Sequence, residues 1–336
     1  MRVAHSVTQL IGETPALRYP LPGWLSSELI LKLEMFNPTA AMKIRAGFRM
    51  IREAEESKRL LPGGTIVESS SGNMAAGLAA LAAVGGYGFV AVVDGCCPAE
   101  NISLVQAYGG RVERIPSRQG GLPSPDERAR VARELAGGIP GGWFAGQRTN
   151  PANPAGYATL ADELLEQVPG VDTLVGAVGT GGSLCGTARR LRALDRHLVV
   201  VGVEPAGSTY FGPPGSYRQS GTGKPPGAST PTTFDRSQID VPRRVSDAEA
   251  FTTARFLAHR LGLLTGGSAG GVVLAALRMI REPKESLAED PGRTVVAIVA
   301  DGGEKYLDTI HAPGWLEEHD LNDAETWKYL SEMTYL

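Results

Sequence analysis

The segment TLVGAVGTGGS, residues 173–183, indicates the fold class. Its first half is a continuous apolar run, typical of a strand covered on both faces, and its second half is a glycine turn of the kind that opens a helix. Similar runs alternate with helical patterns along most of the chain, which predicts parallel sheets built from βαβ units and an α/β fold. The predicted strands are ELILKLEM (28–35), TIVESSS (65–71), FVAVVD (89–94), RVERIP (111–116), TLVGAVGT (173–180), LVVVGVEP (198–205) and RTVVAIVADGG (293–303).

Length and composition limit the class of protein. A chain of 336 residues is long for one hydrophobic core, so we expect two domains or one large α/β unit. The formal net charge is -3 with both signs interspersed, which argues against a nucleic-acid partner and against an anionic membrane. The three cysteines form no zinc-ligand spacing with histidine, so we expect no metal.

The N-terminus and the apolar stretches predict a cytoplasmic protein. The opening MRVAHSVTQLIGETP (1–15) lacks the basic-then-apolar layout of a signal peptide. The apolar stretch 75–84 is rich in alanine and glycine and is far shorter than the ~20 residues that a membrane span requires. We therefore expect a soluble protein in a reducing compartment.

Three glycine turns follow predicted strands or open predicted helices: ESSSGNM (68–74), VGTGGS (178–183) and GGSAGG (266–271). Free amides at the positive end of a helix suit a phosphate or a carboxylate. The second turn is not a Walker loop, because no Lys-Ser/Thr follows, and Leu184 stands where a dinucleotide fingerprint needs its third glycine. Each turn alone is also typical of a capped helix or a tight connection. Three in one α/β chain favour a ligand site.

Lys43 is the candidate catalytic residue. It lies in NPTAAMKIR (37–45), at the predicted start of a helix and among apolar neighbours. A lysine in apolar surroundings loses its charge more readily, which makes its amine available for a Schiff base with a carbonyl group. The alternative from the residues alone is an amphipathic lysine whose amine reaches solvent.

Taken in order, seven segments resemble the cysteine synthase (O-acetylserine sulfhydrylase) family of fold-type II pyridoxal-phosphate enzymes. The match covers most of the chain. Each segment is unspecific alone, and their order and spacing together carry the resemblance. The segments are IGETP (11–15), NPTAAMKIR (37–45), ESSSGNM (68–74), QRTNPANPAGY (147–157), GTGGS (179–183), GGSAGG (266–271) and ADGGEKYLDT (300–309).

The resemblance implies the cofactor pyridoxal 5'-phosphate and a role for each matching residue. Lys43 would hold the cofactor and then remove the substrate Cα proton as the general base. Asn73 would hydrogen-bond the phenolic oxygen of the cofactor, and Ser268 would face its pyridine nitrogen. Some members use a serine near position 302 for that nitrogen, whereas this chain has Gly302, which favours Ser268. The residues implied to hold the phosphate are Gly179, Thr180, Gly181, Gly182 and Ser183.

The resemblance also implies a set of substrate-binding residues. Ile44 stands where the family has an aspartate and Met74 where it has a threonine, so the chain departs from the pattern on the substrate side. Arg218 in GSYRQSG (215–221) and Arg148 are candidates to bind a phosphate leaving group. Arg218 is preferred because relatives that use phosphoserine have an arginine in that loop, although both could be ordinary surface arginines. The residues implied to grip the substrate α-carboxylate are Ser70, Ser71, Gly72, Asn73, Met74 and Gln147.

Within the family, four segments are more similar to the synthases that make the 2,3-diaminopropionate precursor of siderophores and peptide antibiotics. This branch implies a β-replacement on O-phospho-L-serine or O-acetyl-L-serine, with the amine of L-glutamate as nucleophile. The alternatives are a cysteine synthase using sulfide or thiosulfate, a cysteine desulfhydrase, and a non-catalytic amino-acid-binding module on the same scaffold. The four segments are VVDGCCPAENISLVQAYGGRVE (92–113), VEPAGSTYFG (203–212), LLTGGSAGG (263–271) and PGWLEE (313–318).

The resemblance implies a tryptophan synthase β-like architecture: two three-layer α/β domains with the cofactor in the cleft between them. The smaller, mobile domain would span 38–148 and contain Lys43. The larger would comprise 1–37 and 149–336 and contain the phosphate loop. A homodimer is also implied. The segment 206–238 has no periodicity and predicts a long irregular loop, which in a compact domain is usually functional.

Overall fold

The structure is a computed structural model that describes residues 3–116, 122–194, 197–282 and 292–335. Within these ranges strands alternate with helices. The strands are β1 Ala16–Arg18, β2 Glu28–Leu33, β3 Thr65–Ser69, β4 Gly88–Val93, β5 Arg111–Arg114, β6 Gly142–Phe144, β7 Thr173–Ala177, β8 Val199–Pro205, β9 Val241–Val245 and β10 Thr294–Val299. The α-helices are α1 Lys43–Glu56, α2 Asn73–Gly85, α3 Ala99–Ala107, α4 Pro125–Gly138, α5 Ala152–Ala155, α6 Ala158–Gln167, α7 Gly182–Leu194, α8 Asp247–Leu261, α9 Gly267–Arg281, α10 Trp315–Glu318 and α11 Ala324–Glu332.

The strands form two sheets. One has the order β1-β2-β10-β7-β8-β9 and the other has the order β5-β4-β3-β6. Neighbouring strands are parallel in both sheets except for β1, which is antiparallel to β2. In a parallel sheet the carboxyl ends of the strands meet at one edge. The turns after β7 and β10 therefore lie together where the strands of the larger sheet end, and the turn after β3 lies at the corresponding end of the smaller sheet.

Buried apolar residues cover both faces of each sheet. One continuous core joins the two sheets, since it includes Ile66 of β3 and Val200 of β8 together with residues of α1, α2, α6 and α7. A second cluster packs α8 and α9 on the other face of the larger sheet. A third, smaller cluster packs α4 on the other face of the smaller sheet. Helices on both faces explain why the strands have continuous apolar runs, and the three-layer α/β prediction is confirmed.

All seven predicted strands are present, each within or close to its predicted bounds. Three short strands were not predicted: β1, β6 and β9. Strand β1 has three exposed residues, and β9 has the sequence VPRRV, whose proline and arginines do not form an apolar run. Both lie at sheet edges, where burial on two faces is not required.

The segment between β8 and β9 is irregular, as predicted for 206–238, and contains only the 3-10 helix Arg236–Gln238. The domain boundaries at 38–148 stay a prediction, and all four strands of the smaller sheet lie between those limits. Among the described residues, no helix is both long and apolar enough to span a membrane.

Candidate active site

A cavity of about 340 Å³ lies at the carboxyl ends of β3, β7 and β10. Its lining combines the turns after these three strands with the first residues of α1, α2 and α9. Crevices at the carboxyl ends of parallel strands are the usual ligand sites of α/β proteins. The cavity is therefore the candidate active site.

Lys43 is the first residue of α1, and its half-buried side chain lines the cavity. Burial lowers the pKa of Lys43 from 10.5 to about 8, although the charges of Asp301 and Glu68 oppose the shift. No described residue accepts a hydrogen bond from Lys43 Nζ. An amine with a lowered pKa and no competing acceptor can act as a nucleophile or as a base.

The glycine turn after β7 forms one wall of the cavity. Gly181 has φ +81°, and a Cβ at this position would lie 2.6 Å from Phe234 Cα, so only glycine fits. Because α7 begins at Gly182, the turn precedes the positive end of a helix and suits a phosphate. Of the five predicted phosphate-binding residues, the cavity lining includes Gly179, Thr180 and Ser183 but not Gly181 or Gly182.

The turn after β3 forms another wall. Residues 70–74 all line the cavity, as does Gln147. Ser70 Oγ accepts a hydrogen bond from the Gly72 N–H at 3.3 Å. Asn101 Nδ2 donates to the Ser71 carbonyl oxygen at 2.8 Å, which ties the turn to α3. Helix α2 follows directly, so its first backbone amides are available to a carboxylate.

Glu68 is a buried carboxylate at the base of this turn, with 2% of its surface exposed. It accepts hydrogen bonds from the Ser69 N–H at 2.9 Å and from the Gln147 N–H at 3.0 Å. Burial raises the pKa of Glu68 to about 7, against the lowering effect of these hydrogen bonds. Glu68 therefore ties together two segments that were predicted to bind substrate, and the sequence analysis did not assign it this position.

Asp301 and Lys305 lie beside Asn73 and were also not assigned from the sequence. Asn73 Nδ2 donates to Asp301 Oδ2 at 2.8 Å, and Lys305 Nζ donates to Asn73 Oδ1. The Tyr306 hydroxyl donates to the same Asp301 oxygen at 2.9 Å. Both charged residues lie in ADGGEKYLDT, but nothing in that segment indicates a contact with Asn73, which is 228 positions from Asp301 and 232 from Lys305.

Ser268 lies where the sequence predicts a cofactor contact. It is the second residue of α9, is 8% exposed and lines the cavity. Gly302, by contrast, is not part of the lining. A hydroxyl in this position can donate or accept one hydrogen bond.

The structure does not bring Arg218 to the cavity. Its side chain is exposed, while Tyr217 and Gln219 on either side line the cavity. Arg218 is the one residue of 217–223 that is absent from the cavity lining. Its backbone N–H donates to Asp247 Oδ2 at 2.6 Å, which holds the loop in this register. Arg148, the second candidate, does line the cavity.

Arg128 lines the cavity together with Arg148 and was not assigned from the sequence. It forms an ion pair with Asp94, and its Nε is buried without a hydrogen-bond partner among the described residues. Burial lowers the pKa of Arg128, and the like charge of Arg148 lowers it further. The two like charges line one cavity, an arrangement that an anion stabilises.

The cavity lining as a whole has an excess of positive charge. The charged residues that line it are Lys43, Arg128, Arg148 and Lys305 against the single carboxylate of Asp301. Arg128 and Arg148 have ion-pair partners outside the lining, in Asp94 and Asp126, and Lys43 has none among the described residues. Cations that line a partly desolvated cavity favour anionic ligands. The lining therefore suits a ligand that has phosphate and carboxylate groups.

Two largely parallel sheets place a lysine with a lowered pKa, which can react with a carbonyl group, in the same cavity as a glycine turn that suits a phosphate. The chain belongs to the family described as "Pyridoxal-phosphate dependent enzyme", whose model matches residues 7–301.

Three similar proteins illustrate the range of this family. "Putative cysteine synthase" of Sinorhizobium fredii is 44% identical over 324 residues, which cover 95% of this chain and 94% of that protein. "Cystathionine beta-synthase" of Oryctolagus cuniculus is 34% identical over 344 residues, which cover 97% of this chain but 61% of that protein. The crystal structure of O-ureido-L-serine synthase superposes with a TM-score of 0.80 at 31% identity and covers 98% of this chain and 100% of its own.

These relatives confirm the fold-type II architecture, the cofactor and the class of enzyme: a pyridoxal-phosphate-dependent, cysteine synthase-like enzyme that performs β-replacement on an O-activated serine. The cavity fits that cofactor on its own evidence. The hydroxyls of Thr180 and Ser183 line the cavity at the start of α7, where they can donate to a phosphate. Gly179 has to be glycine, since a Cβ there would lie 2.6 Å from the Gly221 carbonyl oxygen, so the turn meets the cavity with its backbone. The unpaired Lys43 amine lines the same cavity as the phosphate-suited turn.

Proposed function

We propose that this enzyme joins O-phospho-L-serine to the amine of L-glutamate and so makes a precursor of 2,3-diaminopropionate. The observation that supports this proposal is the excess of positive charge in the cavity, with Arg128 and Arg148 beside the segments proposed to bind substrate. The donor has a phosphate and the nucleophile has two carboxylates. A sulfide-using enzyme would need cations for the same donor phosphate, but it would need none for the two carboxylates of the nucleophile.

Each predicted site residue has a proposed role. Lys43 holds the cofactor and moves the proton at the substrate Cα, because its amine is neutral over part of the physiological pH range. Pyridoxal phosphate supplies the electron sink at that carbon. Asn73 donates to the phenolic oxygen and Ser268 meets the pyridine nitrogen. The phosphate is held by Gly179, Thr180, Gly181, Gly182 and Ser183, and the α-carboxylate by residues 70–74 with Gln147.

Arg148 is proposed to bind the phosphate leaving group in place of Arg218. Its guanidinium donates to the Ser229 carbonyl oxygen at 2.5 Å and lies 3.4 Å from Asp126 Oδ1. These contacts use Nη2, and the other nitrogens of the guanidinium can still donate to an anion. Arg128 lines the same cavity and is proposed to supply a second guanidinium to the anion.

A sulfide-using cysteine synthase is the second candidate. The Sinorhizobium fredii relative, at 44% identity, has the name of a cysteine synthase. The two candidates share the donor and differ in the nucleophile.

One experiment separates the candidates. The purified holoenzyme is given O-phospho-L-serine or O-acetyl-L-serine, each with L-glutamate or with sulfide, and the products are identified by mass. We expect the glutamate adduct from O-phospho-L-serine as the fastest reaction. Cysteine as the dominant product with either donor would replace the proposal with the second candidate. The Lys43→Ala variant is the control, since any product it makes at the same rate is not enzymatic.

A further inference from the structure

The carboxamide of Asn73 lies between two groups of opposite hydrogen-bonding character. Its Nδ2 donates to Asp301 Oδ2 at 2.8 Å and its Oδ1 accepts from Lys305 Nζ. An ionised carboxylate can only accept hydrogen bonds and an ammonium can only donate them. Because the two ends of an asparagine amide have nearly the same shape, its partners alone decide which end faces which way.

The partners of Asn73 are themselves fixed. Tyr306 donates its hydroxyl to the same oxygen of Asp301 at 2.9 Å, and the pKa of this phenol is raised well above 10 by burial, so it remains a donor. The Asp301 carbonyl oxygen accepts from the Gly266 N–H at 3.2 Å, just before α9. Asp301 also forms a β-bridge with Ala41, two residues before Lys43. Asp301 therefore connects the segments of Lys43, Asn73 and Ser268.

We infer that Asp301 and Lys305 form a clamp that holds the Asn73 carboxamide in one orientation, with its amide nitrogen on the Asp301 side. The clamp fixes which sides of the cavity the amide nitrogen and the amide oxygen of Asn73 face, and so fixes where a ligand meets a donor. Asp301 and Lys305 are thus positioning residues that act through Asn73. The inference rests on the proposed contact between Asn73 and the cofactor, and it adds the two residues that orient the donor.

The experiment measures the Kd of pyridoxal phosphate for the apoenzyme by quenching of tryptophan fluorescence, together with the unfolding midpoint of each apoenzyme. We expect Asp301→Asn and Lys305→Met each to raise the Kd about tenfold, because loss of one partner lets the amide turn. Lys305→Arg keeps a donor and should stay within about threefold of the wild type. The unfolding midpoints should not follow the Kd values.

The same substitutions in an Asn73→Ala background decide whether the clamp acts through Asn73. We expect Asn73→Ala to raise the Kd, and Asp301→Asn or Lys305→Met to add nothing further, since coupled residues are not additive. A full additional effect in that background would overturn the clamp and assign direct contacts instead. A wild-type Kd for Asn73→Ala would refute the proposed Asn73 contact and the clamp with it. If Asn73→Ala raised the Kd while Asp301→Asn and Lys305→Met kept the wild-type Kd, the Asn73 contact would stand and only the clamp would be refuted.

Discussion

Lys32 and Lys43, eleven positions apart in sequence, have opposite surroundings. Lys32 in β2 is fully buried and donates to Glu163, to Gln167 and to the Thr14 carbonyl oxygen at 2.7, 2.9 and 2.7 Å. Lys43 lines the cavity and has no hydrogen-bond acceptor among the described residues. Burial lowers the pKa of both lysines. In Lys32 a hydrogen bond to the Glu163 carboxylate opposes this shift, and Lys43 has no such hydrogen bond.

Lys32 belongs to a buried ion-pair network that fixes the start of α1. Arg45 donates to both oxygens of Glu34 at 2.7 and 2.8 Å and to both oxygens of Glu163 at 2.7 and 2.9 Å. Burial would raise the pKa of Glu163, but Arg45 and Lys32 outweigh it and lower the pKa to about 2. The paired network holds the helix in place, whereas the unpaired amine two residues before Arg45 is free for chemistry.

Removing the unpaired lysine should have the largest effect on catalysis. We expect Lys43→Ala to lower the rate at least ~1000-fold, because cofactor linkage and proton transfer are lost together. Its unfolding midpoint should not fall, since no hydrogen bond is removed. Steady-state rates and thermal unfolding of the apoenzyme test both parts. A normal rate would exclude Lys43, and the remaining lysine in the cavity lining, Lys305, would be examined next.

Breaking the paired network should mainly affect stability. Arg45→Met leaves Glu34 buried without its cation, and we expect the free energy of unfolding to fall by about 3–5 kcal/mol. Arg49, one turn further along α1, is exposed, and Arg49→Met should change it by less than about 0.5 kcal/mol. Urea unfolding measures both. Equal effects of the two substitutions would contradict the structural role of the network.

Arg148 is intermediate between the two cases, because it is partly paired and lines the cavity. We expect Arg148→Ala to raise the KM for O-phospho-L-serine about tenfold to a hundredfold, through loss of a charge-assisted hydrogen bond. The KM for O-acetyl-L-serine should change little, and Arg218→Ala is the matched control. If Arg218→Ala had the larger and donor-selective effect, the loop would have to reach the cavity in the working enzyme.

The pH dependence of cofactor capture should show the smallest effect. Neutral amine is the reactive form of Lys43, and its folded pKa of about 8 lies below the ordinary 10.5. The rate of capture should therefore rise with pH and level off above about 8, with roughly a tenfold gain from pH 7 to pH 9. Stopped-flow absorbance of apoenzyme mixed with pyridoxal phosphate measures it. A rate that continues to rise past pH 10 would indicate an ordinary, solvated lysine.

The sequence by itself determined seven of the ten strands among the described residues and several of the segments that line the cavity. Apolar runs followed by glycine turns predict parallel strands that end at ligand-binding backbone amides. Such patterns can be recognised in a short segment, because burial on both faces requires apolar residues and a positive φ favours glycine at the position itself. The turn before α7 and the turn that contains Ser268 could be located in this way, whereas the roles of Lys43 and Ser268 are implied by the family resemblance.

Only the tertiary structure decided which side chains meet. Asp301 reaches Asn73 because the turn after β10 and the start of α2 both open into one cavity, although 228 positions separate the two residues. Arg148 lines that cavity and Arg218 does not, because the direction of a side chain depends on the register in which Asp247 holds its loop. Local patterns fix backbone conformation, whereas contacts between distant segments depend on strand order and packing, which no short motif contains.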